Sequence, residues 1–354
     1  MNIVLKQKDG FTRNIAYLQS NCLEIRINNG VKIYQKNDLI FDKNFNYIRS
    51  RILSLENSKI FILDYPIIRF FDLTTKEEFV YSSEIISSAS FLQMYQGNKL
   101  LLTHSEDGST PIAPLTLCIL ENGIVQKLWE TPPIPVKQVQ IRTINGYIFV
   151  PNYELNLITT LNDSNGEILW QFDISQFGVF DDPARLEYNR KRKIKKIYYH
   201  KDKVIVTFDK GIIALHPQTG KLLWKILFDD PFRSAYNLIF NDHIAYAGYG
   251  WYYTVIDVEQ GIILYKNTDP LKAIIKERES FVEYSLFRLH QGLLWGTMLS
   301  NGLDFLLKIE PSTGELVDSC WIPIKGLTQG PIFIENTIYM RDIDGNLNIF
   351  ELEE

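Results

Sequence analysis

The sequence predicts an all-β chain built from one repeated four-stranded unit, and three observations predict it. Short β-branched and aromatic runs are broken by Gly, Asn, Asp or Thr every 8 to 12 residues, while amphipathic helical periodicity is scarce. An eleven-residue turn pattern recurs along the chain at 41 to 54 residue intervals. A second apolar strand precedes each copy, and a fixed period of this size means stacked supersecondary units.

The turn copies are EIRINNGVKIY ending at Tyr34, FFDLTTKEEFV ending at Val80, TLNDSNGEILW ending at Trp170, ALHPQTGKLLW ending at Trp224 and VIDVEQGIILY ending at Tyr265. Weaker copies are LCILENGIVQKLW, with Gly123 and Trp129, and KIEPSTGELVD, with Gly314. Gly or Asn supplies the positive φ of a hairpin between the third and outer strands, and Thr or Asn bonds local backbone. The aromatic at the end folds back as a wedge between units, burying a large area at modest entropic cost. Tyr34, Trp170, Trp224 and Tyr265 are therefore expected to be structural docking residues.

The preceding strands are KIFILD, KLLLTH, YIFVP, KVIVTF, HIAYAG and LLWGTM, with NIAYLQ and TIYMRD filling the same position at the two ends. Eight such strands in 354 residues give about 44 residues per unit, the size of a propeller blade. The expectation is one domain over residues 1–354, an eight-bladed β-propeller with seven blades as the alternative. The C-terminal run GPIFIENTIYMRDIDGNLNIFELEE holds three strands, so NIVLKQ at residues 2–7 is expected to supply the fourth and close the ring. Only DPLKAIIKERESFVEYSL, residues 269–286, offers room for a helical turn.

These residues carry a resemblance. Ala214, Thr219, Gly220, Lys221 and Trp224 match the tryptophan-docking motif of the pyrroloquinoline-quinone-like (PQQ-like, quinoprotein-type) propellers, with His216 in place of its Asp. Asp257, Gly261 and Tyr265 resemble it in a second blade, as do Asp72 and Thr75 in a third. The resemblance covers nearly the whole chain and implies architecture more than function. It is similar to the lipoprotein propellers of outer-membrane assembly, but MNIVLKQKDGFTRN has neither a signal-peptide core nor a lipid-acceptor Cys. Quinoprotein dehydrogenases of this kind carry an extra region, a calcium site and adjacent cysteines. This sequence departs from all three, so no cofactor is expected.

Composition is that of a globular chain, with 45% hydrophobic and 22% charged residues. A net charge of −5 argues against nucleic-acid binding. No stretch approaches the roughly 18 apolar residues of a membrane span, and a cytoplasmic, bacterial protein is expected. The 3 cysteines, Cys22, Cys118 and Cys320, are widely spaced and read as reduced thiols. The 5 histidines show no metal-ligand spacing, so no metal site is expected. DIDGN at 342–346 lacks the glycine position of a calcium loop and reads as a hairpin turn. No catalytic residue is assigned.

The candidate binding residues come from a second repeat. FDDPARLEYN at 180–189 recurs as FDDPFRSAYN at 228–237, between the outer strand of one blade and the first strand of the next. Asp182, Arg185, Asp230 and Arg233 either pin the crossovers or form a polar belt at the channel mouth. Loops on the same face add Tyr153, Tyr249 and Trp251 as aromatic anchors, with Glu106 and Asp107 on a long polar loop. The basic run NRKRKIKKIYYH reads as a solvated crossover. The function expected is a non-catalytic scaffold that recognises a partner protein, such as an immunity protein capping a toxin. The alternative is a lyase or hydrolase acting on a sugar or small metabolite, with Asp182, Asp230, Arg185 and Arg233 as its acids and cations.

Overall fold

Eight sheets of four or five strands, each antiparallel and met in chain order, organise the described residues of a computed structural model of the chain. The structure describes the chain apart from residues 1, 12–13, 19–21, 28–29, 36–37, 45–50, 57–58, 90, 96, 104–111, 137–141, 145, 183–186, 229–236, 250–251, 268–280, 283–286, 301–302, 324–329, 343, 345 and 354. Sheet 1 comprises Asn14–Leu18, Cys22–Ile27, Gly30–Gln35 and Asp38–Asn44; sheet 2 comprises Arg51–Glu56, Lys59–Asp64, Ile67–Asp72 and Glu78–Tyr81. Sheet 3 comprises Phe91–Met94, Lys99–Thr103, Leu115–Glu121 and Ile124–Glu130; sheet 4 comprises Arg142–Ile144, Tyr147–Asn152, Leu157–Asn162 and Ile168–Asp173. Sheet 5 comprises Ile194–His200, Lys203–Phe208, Gly211–Leu215 and Leu222–Leu227; sheet 6 comprises Leu238–Asn241, Ile244–Tyr249, Tyr252–Asp257 and Ile262–Asn267. In sheet 7, Phe281–Val282 and Arg288–His290 both pair with Leu293–Ser300, followed by Leu303–Ile309 and Leu316–Ile322.

Sheet 8 holds Ile332–Ile334, Thr337–Arg341 and Asn346–Glu353, and its fourth strand is Asn2–Phe11, with Asn2 opposite Glu353 and Leu5 opposite Phe350. The N-terminal unit departs from the sequence reading. Asn14–Leu18 is the first strand of its sheet, not the second, and the EIRINNGVKIY hairpin joins the second and third strands. The stretch at 269–286 lies outside the described residues except for the strand Phe281–Val282. Two short helical turns not foreseen from sequence, Glu84–Ser87 and the 3-10 turn Ile174–Phe177, are capped by Ser83 and Asp173.

The chain divides into two compact units, one of Met1–Asn28, Lys32–Asp42 and Trp224–Glu354, the other of Asn29–Val31 and Lys43–Leu223. Within the second, consecutive sheets pack face to face. Phe61, Phe70 and Tyr81 of sheet 2 meet Leu100, Leu102 and Leu120 of sheet 3, and Phe149, Ile158 and Trp170 of sheet 4 meet Val204, Val206 and Leu215 of sheet 5. Within the first, Tyr253 and Val255 meet Leu294 and Leu307, and Trp295 and Leu306 meet Ile338 and Phe350.

This stacking explains the strand composition. Lys203–Phe208 and Gly211–Leu215 are buried at every position because neighbours cover both faces of a middle strand, so they read as continuous apolar runs. The outer strand Ile262–Asn267 is mostly exposed.

Five sheets share one turn. The side chain opening it accepts from backbone N–H two residues on: Asp72 from Thr74 at 2.8 Å, Asn162 from Ser164 at 2.9 Å, His216 from Gln218 at 3.3 Å, Asp257 from Glu259 at 2.8 Å and Glu310 from Ser312 at 3.2 Å. Its carbonyl accepts from the residue four on, which has positive φ in every case: Lys76, Gly166, Gly220, Gly261 and Gly314. Asp342 likewise closes a hairpin, accepting from the Asn346 backbone at 2.7 Å.

Candidate interaction site

Successive sheets are linked by one repeated contact. An aromatic side chain lies on the turn glycine of the following sheet and donates its polar hydrogen to the carbonyl three residues before that glycine. Trp129 donates to Asp163 at 2.8 Å and covers Gly166; Trp170 donates to Pro217 at 2.8 Å and covers Gly220; Trp224 donates to Val258 at 3.1 Å and covers Gly261. A Cβ built on Gly166 or Gly220 would stand 2.7 or 2.6 Å from the indole ring. The glycines therefore supply both positive φ and a flat landing surface.

Over Gly314 the covering residue is Tyr253, from the third strand of sheet 6, donating to Pro311 at 2.5 Å. Tyr265, the residue the repeat places there, packs half-buried at the edge of the same cluster. The difference is position, not residue type: Tyr253 is almost wholly buried and carries its hydroxyl straight to the turn. The side chain of Tyr34 lies outside the described residues.

Sheet 2 breaks the rule. Where sheets 3, 4, 6 and 7 carry a bulge within the outer strand, sheet 2 pairs Phe70 with Phe79 and Phe71 with Glu78 without a register shift. Phe79 thus stands opposite Phe70 as Trp170 stands opposite Thr160, and Val80, at the motif's aromatic position, is exposed. The facing turn of sheet 3 is a tight pair, Asn122 and Gly123, both with positive φ. The nearest atom to a Cβ on Gly123 would be the Val80 carbonyl oxygen, at 3.8 Å. The Leu120 carbonyl, three residues before Gly123, accepts from Asn98 Nδ2 at 2.9 Å instead of from an indole.

What remains between these two sheets is a groove of about 600 Å³ with Phe61, Phe70, Phe79 and Tyr81 among its walls. The rings of Phe61, Phe70 and Phe79 run in series, 5.0 and 5.9 Å between centroids. Its charged lining is Lys59, Asp72, Glu77 and Glu121. The Thr75 and Thr74 backbone N–H groups hold the Asp72 carboxyl below the usual carboxylate range, so it stays ionised. Burial pushes the Tyr81 phenol up, against a hydrogen bond from the Gly123 backbone.

The residues singled out from sequence are distributed as follows. Arg185, Asp230, Arg233, Trp251, Glu106 and Asp107 lie outside the described residues, as do the side chains of Asp182 and Tyr249. Tyr153 is half-buried against the cluster of sheets 4 and 5, on a turn in which Asn152 accepts from the Glu154 and Leu155 N–H groups. The first FDDP copy begins a two-stranded hairpin, Val179–Asp182 with Glu187–Lys191, inserted between sheets 4 and 5.

The basic run that follows is not a solvated face throughout. Arg192 is 7% exposed, donates to the carbonyls of Phe177, Asp209 and Lys210 at 3.2, 2.9 and 3.1 Å, and sits over the Phe180 ring. Lys195 pairs with the buried Asp209 carboxylate at 3.0 Å. The guanidinium satisfies three backbone carbonyls, which is why Arg192 is buried within a basic run whose other charged side chains are exposed or half-buried. Among the described residues no group of three or more His, Cys, Asp and Glu side chains is placed to hold a metal ion, and no helix is long and apolar enough to cross a membrane.

No family model matches the sequence, and no curated protein matches it. Solved structures do. The chain is similar to Sqt1 from Saccharomyces cerevisiae at 10% identity, TM-score 0.61, over 99% of this chain and 98% of that one. It is similar to BamB from Moraxella catarrhalis at 12% identity, TM-score 0.58, over 99% and 100%. It is also similar to the β-propeller domain of Cps50 (Swd1) from Myceliophteria thermophila, at 9% identity, TM-score 0.52, over 99% and 100%. Together with the stacked antiparallel sheets, these likenesses identify a β-propeller fold.

Proposed function

We propose that the chain is an eight-bladed, PQQ-like β-propeller that acts without catalysis, as a rigid scaffold recognising a partner protein. The observation that carries this reading is the repeated aromatic-on-glycine contact. It commits the repeated turns to rigidity and leaves the loops and the groove between sheets 2 and 3 for recognition. Eight sheets, with Asn2–Phe11 completing the last, favour eight blades over seven. The sequence motif around Trp224 supports the PQQ-like assignment, and the likeness to Sqt1 and Swd1 supports a scaffold role by fold alone.

On this reading Asp182, Arg185, Asp230 and Arg233 belong to the partner-facing crossovers, with Tyr153, Tyr249, Trp251, Glu106 and Asp107 on neighbouring loops. A cytoplasmic bacterial immunity protein bound to its toxin is the specific case we put first. Co-expression with the product of the neighbouring gene tests it. A stable complex that Arg185→Ala/Arg233→Ala weakens is the expected result. A monodisperse monomer with no partner, or a complex unchanged by a variant that only loses thermal stability, overturns it.

A further inference from the structure

We infer that the groove between sheets 2 and 3 receives a segment of the partner protein that presents an aromatic residue beside an arginine. This deepens the protein-binding reading and rests on it. At the Gly166, Gly220 and Gly261 steps the space between outer strand and next turn is filled by the chain's own indole. Here Phe79 stands in the corresponding register with a smaller ring, the Tyr81 hydroxyl rather than an indole meets the Gly123 backbone, and a groove of about 600 Å³ stays open beside them. A slot of this kind, walled by Phe61, Phe70 and Phe79, fits one further aromatic side chain in offset or edge-on contact.

The charge of the lining selects what accompanies that ring. Asp72, Glu77 and Glu121 face the groove against Lys59 alone among its charged lining. Asp72 is committed to the turn through the Thr74 and Thr75 N–H groups, while Glu77, which accepts from Thr75 Oγ1 at 3.3 Å through one oxygen, and Glu121 are the exposed carboxylates at the rim. Arginine matches this surface best, because its planar guanidinium stacks on aromatic faces and pairs with carboxylates in the same pose. An acidic segment would meet like charge. A small cation would leave most of the 600 Å³ unfilled.

The test is a TROSY NMR titration of the full chain at low ionic strength with acetyl-Gly-Trp-Arg-Gly-amide. Trp-Glu and Ala-Arg versions of the peptide, and arginine amide, serve as comparators. Saturable shifts of the amides of Phe79, Gly97 and Gly123 are expected with the Trp-Arg peptide. E77Q/E121Q weakens that binding by roughly five- to tenfold, and F79W, which extends the ring across the slot, abolishes it. No saturable shifts overturn the inference, as does equal binding of the Trp-Glu peptide. Equal binding of arginine amide overturns it in favour of a small-cation site. Unchanged binding by F79W also overturns it; if F79W does not fold, E77Q/E121Q decides. A partner recovered by co-expression that binds F79W and E77Q/E121Q like the parent removes the groove and leaves protein binding standing. Absence of any partner removes the functional reading and leaves the peptide titration to judge the groove.

Discussion

Trp170 lies flat on Gly220, its Nε1 donating to Pro217 at 2.8 Å, in a space where a Cβ on Gly220 would come within 2.6 Å of the indole. Gly220→Ala therefore carries two costs. The left-handed backbone costs about 1 kcal/mol, and the displaced indole about 1–3 kcal/mol more. Gly97 has the same sign of φ, but a Cβ on it would meet nothing within 4 Å among the described residues, so Gly97→Ala should show the backbone cost alone. Urea unfolding of the two variants measures the difference.

Arg192 should be a stability residue. Arg192→Met leaves the Phe177, Asp209 and Lys210 carbonyls without their donor, at about 2–4 kcal/mol. Arg192→Lys should recover only part of that, since one ammonium cannot reproduce the guanidinium fork. The midpoint of chemical unfolding checks both.

His290 sets an acid limit on stability. Its ring stacks on Phe333 at 4.3 Å, Nε2 is buried without a hydrogen-bond partner among the described residues, and burial lowers its pKa below 6.5. A depressed folded pKa means the unfolded state takes the proton first. Stability is full above about pH 6.5 and falls as the pH drops through that value. His290→Phe keeps the stacking and removes the proton site, so the loss in melting temperature between pH 7.5 and 5 should shrink.

Buried Cys118 and half-buried Cys320 act at the other end of the scale. Desolvation pushes the Cys118 and Cys320 thiols up to about 11 from 9.0. The unfolded chain then loses protons first as the pH rises, so stability falls between about pH 9 and 11. In a Cys22→Ser background, alkylation at pH 8 should be roughly a hundredfold slower in the native than in the unfolded protein. Equal rates would contradict the burial.

Beyond the N-terminal sheet, where Asn14–Leu18 took first and not second place, the strands and their grouping were legible because the information is local. An eleven-residue turn with its flanking runs fixes a hairpin, and a 41 to 54 residue spacing fixes the repeat. What was illegible depends on contacts between repeats. Tyr253 takes the place on Gly314 that the motif gives to Tyr265, because depth and hydroxyl reach decide it, not spacing. The basic run hides Arg192 because carbonyls from three distant residues converge on it. The groove has a signal in the sequence: Val80, where five of the other six copies carry Trp or Tyr, facing the short Asn122-Gly123 turn. Its geometry needed the missing bulge of sheet 2, which no composition reveals.

The aromatic-on-glycine contact as the device joining successive sheets is tested most directly by a double-mutant cycle on Trp170 and Gly220. Trp170→Val should cost about 3–4 kcal/mol for the lost ring and its hydrogen bond. In that background Gly220→Ala should fall to its backbone cost of about 1 kcal/mol, giving a coupling energy of about 1–3 kcal/mol. Strict additivity of the two substitutions would contradict the account.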